Sequence, residues 1–273
     1  MQFNNDAAPL TLRANTLRVT REQLQERLSH LDVDTTATRY APEGLVVTAG
    51  NPLRTAEDES FFVQDEASQL VPLAMDARPG ERILDLCASP GGKAVAMAAA
   101  MHDSGRLIAC DVRAGRLNLL SDTIRRSGAR HVQIVHVPAH GPLPFAGTFD
   151  RVLVDAPCSG LGTIRRDPDI RWRRTESELP RLAEQQVDLL MRAANTVRPG
   201  GRLVYATCSS EPEENDGVVN RFLERMPFDR LDLRNDPSGP LQPLLDDQGT
   251  LRTLPFAHGL EAFFATAMVR QGR

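Results

Sequence analysis

The sequence predicts an α/β protein built on a doubly wound, mostly parallel sheet, with a small α/β module at its N-terminal end. From residue 80 onward, short β-branched runs alternate with amphipathic helical stretches, which is typical of a parallel sheet covered by helices on both faces. A glycine-rich turn joins the first of these strands to the next helix. The first 60 residues instead hold two extended stretches around one helix. We therefore expect a module over residues 1–60 and a larger domain over residues 61–273.

The predicted strands of the larger domain alternate with helices. The strands cover residues 82–86, 106–109, 132–137, 151–154 and 202–206, with residues 263–269 as a strand at the edge of the sheet. The helices cover residues 91–101, 114–127, 176–197 and 210–226. Leu117, Leu120 and Ile124 lie three and four residues apart, which indicates one apolar helix face. Ser210, a proline and three glutamates open the last helix, because these residue types favour a helix N-terminus.

The small module has its own pattern of elements. Residues 11–15 and 44–48 are predicted to be extended, and a helix is predicted over about residues 20–31. Several arginines of this module are available to contact the backbone of a nucleic acid. The module is therefore interpreted as an accessory that helps to bind RNA.

Composition and charge exclude several classes of protein. The chain has 32 basic and 36 acidic residues, a net charge of −4, so it is not a generally basic nucleic-acid binder, although a locally basic groove is compatible with this balance. No apolar run is long enough to span a membrane, and the first residues lack the layout of a signal peptide. The four cysteines form no Cys-x-x-Cys pair. We expect a cytoplasmic monomer with no metal and no membrane partner.

A cofactor site is predicted at the first strand-to-helix turn, residues 85–93, which reads DLCASPGGK. Glycines allow the backbone to approach a ligand closely, and the N–H groups of the following helix point toward it. The turn is not a phosphate-binding loop, because Ala94 follows Lys93, the only lysine of the chain. Asp111 ends the next strand, where an acid accepts hydrogen bonds from ribose hydroxyls. These features suit S-adenosylmethionine or a nicotinamide cofactor.

Two cysteines follow neighbouring predicted strands. Cys158 lies in DAPCSG and Cys208 in TCSS, so both fall at the edge of the sheet where such folds carry chemistry. A single cysteine at a strand end is more often a small buried hydrophobe, but two at equivalent positions favour a catalytic role. The dipole of the helix predicted over residues 210–226 would also favour the Cys208 thiolate. Cys110 lies within a strand and is interpreted as a packing residue.

A thiol beside a methyl-donor site indicates methylation of cytosine at carbon 5. This carbon is a poor nucleophile until a thiolate adds to carbon 6 of the ring. The proton on carbon 5 must then leave and the thiolate must be eliminated, and a second thiol or a base serves that step. Asp155, three residues before Cys158, is placed to act near the ring nitrogen N3.

The segments DLCASPGGK, DAPCSGLG, IRRDPDIRW and YATCSSEPEEN resemble the RNA cytosine-C5 methyltransferase family of the bacterial Sun or Fmu type, whose namesakes modify 16S ribosomal RNA. FFVQDEASQL resembles the segment that enters the methyltransferase domain of this family. The resemblance covers roughly residues 10–270. It implies a Rossmann-like, S-adenosylmethionine-dependent methyltransferase domain preceded by a small RNA-recognition module.

The resemblance also implies roles for individual residues. Cys208 is the implied nucleophile at carbon 6, and Cys158 is implied to assist release of the methylated RNA. Lys93 and Asp155 are implied to lie close to the target base. The implied contacts to S-adenosylmethionine are Cys87, Ala88, Ser89, Pro90, Gly91, Gly92, Lys93, Asp111 and Asp155.

The sequence departs from the family pattern in three places. Pro138 stands where the family usually has an aspartate that contacts the adenine amino group, and proline offers neither a carboxylate nor an N–H. The segment 261–264 reads EAFF, where Asp-Gly-Phe-Phe is usual. The helical RNA-binding domain that precedes this region in the ribosomal members is missing. We expect either a fragment of a longer protein or a shorter branch of the family.

RNA contacts are predicted just after the DAPCSG motif. Residues 164–181 carry six arginines around Trp172, the only tryptophan. Guanidinium groups suit phosphates, and an indole ring offers a face on which an unpaired base can stack. The alternative is a solvated loop, because four acidic residues are interspersed. The residues assigned to RNA are Arg165, Arg166, Arg171, Trp172, Arg173 and Arg174.

The sequence therefore predicts an S-adenosylmethionine-dependent RNA cytosine-C5 methyltransferase that acts on ribosomal RNA. One alternative is an enzyme of the same reaction that acts on tRNA or another RNA. A second alternative is an RNA-binding or assembly module whose catalysis has decayed, since Pro138 and the missing domain both depart from the family.

Overall fold

The computed structural model describes residues 2–54, 59–235 and 239–272. In this part of the chain, four strands form a small antiparallel sheet and eight strands form a large mixed sheet. The elements of the small sheet are β1 (Thr11–Ala14), α1 (Arg21–Ser29), β2 (Asp34–Ala37), β3 (Gly44–Ala49) and β4 (Phe61–Val63). The sheet has the order β2-β3-β1-β4. It therefore extends past residue 60, where the sequence predicts the end of the module.

The large sheet has the order β10-β12-β9-β8-β5-β6-β7, and β11 pairs with β12. Its strands are β5 (Arg82–Asp85), β6 (Arg106–Asp111), β7 (Val132–His136), β8 (Phe149–Asp155), β9 (Val197–Thr207), β10 (Phe228–Leu231), β11 (Leu251–Thr253) and β12 (Phe263–Arg270). The strands β7, β6, β5, β8 and β9 are parallel to one another, whereas β12 is antiparallel to its neighbours. The helices are α2 (Glu66–Met75), α3 (Gly92–Ala100), α4 (Ala114–Ser127), α5 (Ile170–Arg173), α6 (Leu179–Ala194), α7 (Asp216–Leu223) and α8 (Pro255–His258).

Helices cover the large sheet on both faces, which confirms the doubly wound prediction. Alternate residues of each central strand belong to different core clusters because successive side chains point to opposite faces. In β8, Leu153 packs with the helices α2, α3 and α4, whereas Val152 and Val154 pack with α6 and α7. The apolar face predicted for residues 114–127 is real: Leu120 and Ile124 of α4 are buried.

The small sheet is attached to the large domain by buried polar contacts. The guanidinium of Arg13, in β1, donates to the carbonyl oxygen of Gly92 at 2.6 Å. The side-chain amide of Asn15 donates to the carbonyl oxygen of Ser127 at the end of α4. The first of these contacts places the module directly against the turn that the sequence assigns to a cofactor.

Three element predictions are wrong. The strand over residues 263–269 is not at the edge, because β12 lies between β9 and β10. The predicted helix over residues 210–226 begins only at Asp216, because Glu214 and Asn215 turn inward and bond to loops of the large domain. The predicted helix over residues 176–197 starts as a short 3-10 turn and ends at Ala194, because Val197 already belongs to β9. The sequence predicts neither the strands β2, β4, β10 and β11 nor the helices α2, α5 and α8.

The structure also bears on membrane association and on metal binding. Within the described residues, no helix is both long enough and apolar enough to cross a membrane. The same residues include no cluster of three or more histidine, cysteine, aspartate or glutamate side chains that could hold a metal ion.

Candidate active site

The polar side chains singled out in the sequence lie at one edge of the large sheet. Strands β5, β6 and β8 end at Asp85, Asp111 and Asp155, and β9 ends at Thr207, directly before Cys208. Because these strands are parallel, their carboxyl ends share one edge, which is where ligands bind in open α/β sheets. The predicted cofactor and catalytic residues are thus brought together by topology.

The turn between β5 and α3 is held in place by its neighbours. The backbone N–H of Ala88 donates to the carbonyl oxygen of Cys110 at 2.7 Å, and Arg116 donates to the carbonyl oxygen of Ser89 at 3.0 Å. Gly91 has a φ of +112°, and an added Cβ would meet side chains of α4 at 3.0 Å. A glycine is required at this position, because other residues rarely adopt such a φ and would also clash.

Asp85 carries a buried carboxyl group at the start of this turn. The residue is 1% exposed, and neither carboxyl oxygen makes a hydrogen bond of good geometry within the described chain. Burial, together with the nearby charge of Asp155, raises the pKa of Asp85 to about 8, and Lys93 only partly offsets this. A buried acid without a hydrogen-bond partner fits a site that receives a polar or cationic group of a ligand.

Lys93 and Asp155 form an ion pair beside the turn. The Nζ of Lys93 donates to Oδ2 of Asp155 at 2.7 Å, and the ammonium lies over the ring of Phe263 at 5.9 Å. Burial lowers the pKa of Lys93, but Asp155 more than offsets this, so the pKa lies above its usual value. The lysine is therefore charged at neutral pH, and the pair presents one cation and one anion to the cavity.

Cys158 and Cys208 face each other with their Sγ atoms 3.3 Å apart. The hydrogen bond from the Cys158 thiol lowers the pKa of Cys208, and Lys93 lowers it further, against the opposing effects of burial and Asp155. The same contact, followed by burial, raises the pKa of Cys158 well above its usual value. Of the two thiols, Cys208 is therefore the more acidic.

The helix-dipole argument for Cys208 is wrong. Helix α7 begins at Asp216, and a turn with buried side chains separates it from the cysteine. The dipole of a helix acts only within its first turn. The acidity of the Cys208 thiol comes instead from Cys158 and Lys93.

Two cavities adjoin the turn at residues 85–93, which we call the cofactor turn. Cys87 lines both of them. One, of about 210 Å³, is bounded by Asp85, Lys93 and Asp155 and also by Gln64. The other, of about 480 Å³, is lined by Val112, Pro157 and Ala139, together with polar side chains of α6. Cys87 thus lies between a smaller cavity bounded by charged side chains and a larger cavity of mixed apolar and polar lining.

The loop that departs from the family pattern lies at the larger cavity. Pro138 itself is exposed, and the guanidinium of Arg192 donates to the carbonyl oxygens of Pro138, Ala139 and Gly141 at 2.6 to 2.8 Å. Ala139 and His140 line the cavity in place of an acid. Asp111 is 5% exposed and accepts from the backbone N–H of Arg113 at 2.8 Å.

In the arginine segment, residues 164–181, some side chains point toward the protein and others toward solvent. Arg166 turns inward and pairs with Asp65 at 3.4 Å and Glu261 at 3.0 Å, and Arg174 donates to the carbonyl oxygen of Ser159. Arg171 and Arg173 are exposed, and Trp172 is 88% exposed. Arg165 lies over the ring of Phe3, and Arg171 donates to the carbonyl oxygen of Asn4. Arg166 and Arg174 thus hold the loop, and the solvent-facing part is residues 171–173.

Two buried acidic sites escaped the sequence analysis. Asp65 caps α2, and burial and the neighbouring Glu261 raise its pKa to about 7, with Arg166 opposing them. Glu214, behind the cysteines, is 0% exposed. Glu261, beside Asp65, and Ser159 and Gln186, which bond to Glu214, are distant in sequence, so no local pattern indicates either site.

Both parts of the chain match known protein families. A family model described as 16S rRNA methyltransferase RsmB/F matches residues 72–269, and a model of the RsmF/B-like ferredoxin-like domain matches residues 1–54. A probable ribosomal RNA small subunit methyltransferase B of Synechocystis is 36% identical over 272 residues, covering 96% of this chain and 60% of the relative. A 28S rRNA (cytosine-C(5))-methyltransferase of Mus musculus is 32% identical, covering 97% of this chain and 35% of the relative.

A solved structure supports the same assignment. A methyltransferase homolog protein from Pyrococcus horikoshii is 30% identical, with a TM-score of 0.83, covering 98% of this chain and 88% of that chain. This chain spans about 60% of the length of the first curated relatives that it matches. The chain belongs to the RsmB/F family of 16S rRNA methyltransferases, the Sun or Fmu type.

Proposed function

We propose that the chain methylates carbon 5 of a cytosine in ribosomal RNA, with S-adenosylmethionine as the methyl donor. The observation that carries the proposal is the pair of thiols 3.3 Å apart beside the Lys93–Asp155 ion pair. Two thiols of unequal acidity match a reaction that needs one nucleophile and one group to assist its release. Relatives named as rRNA methyltransferases of cytosine C5 support the same reaction.

The residues around these two cavities fit S-adenosylmethionine. Asp85 would hold the ammonium group of its amino acid part, since a cation there would pair the buried carboxylate. Asp111 would hold the ribose, and residues 87–93 would line the rest of the cofactor. When bound, the cofactor supplies a methyl group on a sulfonium, which is an electrophile.

Cys208 starts the reaction on the base. Its thiolate adds to carbon 6, so that a sulfur–carbon bond forms and the electrons of the ring double bond become available at carbon 5. The proton that N3 gains in the adduct comes from the charged Lys93 through Asp155, whose Oδ2 accepts from Nζ of the lysine at 2.7 Å, and this proton neutralises the charge that builds on the ring. Asp155 and Lys93 therefore act on the base, within reach of the cofactor turn.

Release of the product reverses the addition. Water takes the proton from carbon 5, the electrons of that carbon–hydrogen bond re-form the ring double bond, the carbon–sulfur bond breaks, and its electron pair returns to Cys208 as a thiolate. Cys158 is placed to assist, because its Sγ lies 3.3 Å from that sulfur. Attack on carbon 6 needs access to the face of the ring, so the target cytosine is unpaired or flipped out of its helix.

RNA binds along the outward part of the arginine segment and the small sheet. Arg171 and Arg173 contact phosphates, and Trp172 stacks on an unpaired base. We assign residues 1–60, with β4, to RNA recognition and the remaining residues to catalysis. The attachment of Arg13 to Gly92 holds this module beside the cofactor turn.

The test is methylation of purified RNA. The full chain is incubated with S-adenosylmethionine and either small-subunit ribosomal RNA or tRNA, and 5-methylcytosine is mapped by sequencing. New 5-methylcytosine in ribosomal RNA supports the proposal, and methylation confined to tRNA overturns its substrate. Failure to bind S-adenosylmethionine in a calorimetric titration overturns the reaction and favours an RNA-binding module.

A further inference from the structure

A buried carboxylate lies behind the two cysteines and takes no part in the reaction above. Glu214 is 0% exposed, in the turn between β9 and α7. Its Oε1 accepts from the backbone N–H of Ser159 and from Nε2 of Gln186, each at 2.8 Å. Its Oε2 accepts from the hydroxyls of Ser159 and Ser209 at 2.5 and 2.6 Å. Four donors compensate a charge that is otherwise costly to bury.

Three of the four donors to Glu214 belong to the residues that directly follow the two cysteines. Ser159 follows Cys158 after β8, and Ser209 follows Cys208 after β9. The two hydroxyls are 3.2 Å apart, so a single carboxylate joins the two turns. The backbone of Glu214 is held as well, because the hydroxyl of Tyr205 donates to the carbonyl oxygen of Glu214 at 2.6 Å.

We propose that Glu214 is the positioning residue of the thiol pair. It clamps the Pro-Cys-Ser-Gly turn against the Thr-Cys-Ser-Ser turn, so that the thiol of Cys158 is held where it donates to the sulfur of Cys208. The role of this pair in methyl transfer rests on the proposed function, whereas the clamp itself is a statement about geometry.

The charge of Glu214, like its hydrogen bonds, favours Cys158 as the protonated member of the thiol pair. The contact with Cys208 and burial are the main causes that raise the pKa of Cys158, and the charges of Cys208 and Glu214 add to them. The groups that act on Cys208 are Cys158, Asp155 and Lys93. Loss of the Glu214 charge therefore narrows the difference in acidity between the two thiols.

The experiment is alkylation of the full chain with iodoacetamide from pH 6 to pH 10, without RNA or cofactor. Mass spectrometry gives the rate at Cys208 and at Cys158 separately. Glu214→Gln keeps the size of the side chain but removes the charge. Because the Cys158 thiol is then no longer held against the Cys208 sulfur, we expect the pH profile of Cys208 alkylation to move to higher pH, so that its alkylation at neutral pH slows several-fold. We also expect the preference for Cys208 over Cys158 to fall.

Matched variants separate positioning from loss of folding. Glu213→Gln changes the exposed neighbour and leaves both profiles unchanged. Ser209→Ala and Ser159→Ala each remove one hydroxyl and shift the Cys208 profile in the same direction by less. Thermal unfolding and S-adenosylmethionine binding show whether each variant is folded.

The proposal is overturned if folded Glu214→Gln has the Cys208 profile of the unsubstituted chain. Should that variant not fold, an unchanged profile in Ser209→Ala overturns it instead. Methyl transfer is measured in parallel, and kcat is expected to fall while the affinity for S-adenosylmethionine stays the same. Failure of the unsubstituted chain to methylate RNA refutes the proposed function and leaves the alkylation result unaffected.

Discussion

Asp85 gives the clearest prediction of how pH changes the stability of this chain. The pKa of its carboxyl rises from 3.8 in its ordinary state to about 8 in the fold, because the group is buried without good partners. The folded chain therefore holds a proton that the unfolded chain releases, and the free energy of unfolding falls as pH rises from about 4 to about 8. At about 1.4 kcal/mol per pH unit, this loss is on the order of 6 kcal/mol above pH 8.

Asp85→Asn removes this titration. The neutral amide of the variant lacks hydrogen-bond partners, as the protonated carboxyl of Asp85 does. The free-energy cost of burying the amide is therefore close to the cost of burying the protonated carboxyl. We expect the variant to be the more stable form without cofactor, and its advantage to grow by about 4 kcal/mol between pH 5 and pH 8, since each unit is worth about 1.4 kcal/mol. Urea unfolding of both proteins at the two pH values measures this difference.

Two further measurements complete this test. Asp122→Asn changes an exposed aspartate of α4 and is the matched control for the loss of an aspartate charge. Asp85→Asn should also bind S-adenosylmethionine more weakly, because the ammonium group loses its anionic partner. An advantage of Asp85→Asn that is equal at pH 5 and pH 8 would refute the argument from burial.

The remaining predictions concern Lys93 and the RNA surface. Lys93→Arg replaces a compact ammonium with a planar guanidinium beside a cavity of about 210 Å³. We expect kcat to fall roughly tenfold or more, which corresponds to about 1.4 kcal/mol of lost transition-state stabilisation. Unimpaired turnover would contradict this expectation. Arg171→Gln with Arg173→Gln should flatten the salt dependence of RNA binding by about 0.7 in log–log slope per lost phosphate contact. Arg225→Gln, an exposed change just before β10 at the opposite edge of the sheet, is the control and should leave that slope unchanged.

Much of the site follows from short-range patterns. Strands β5, β6 and β8 are marked by buried apolar runs, and the turn at 85–93 by its glycines, of which Gly91 is required by its φ. The closeness of Cys158 and Cys208 follows from one topological rule, since both lie where parallel neighbours end. These features need no knowledge of distant contacts.

Other features depend on contacts that a local pattern does not contain. Ser210 and the acidic residues after it are good helix starters, but Glu214 is drawn into the core by donors on another loop, so α7 begins later. Arg166 looks like its neighbours in sequence, yet Asp65 and Glu261 turn it inward. In both cases a buried charge finds partners far along the chain.

The central claim is that Cys208 bonds to the cytosine and Cys158 assists its release. Its most direct test is intact mass and denaturing electrophoresis of the unsubstituted chain, Cys208→Ala and Cys158→Ala after incubation with ribosomal RNA and S-adenosylmethionine. We expect a stable protein–RNA adduct to accumulate with Cys158→Ala and none to form with Cys208→Ala. A covalent adduct of Cys208→Ala with RNA that carries 5-fluorocytosine would contradict the account.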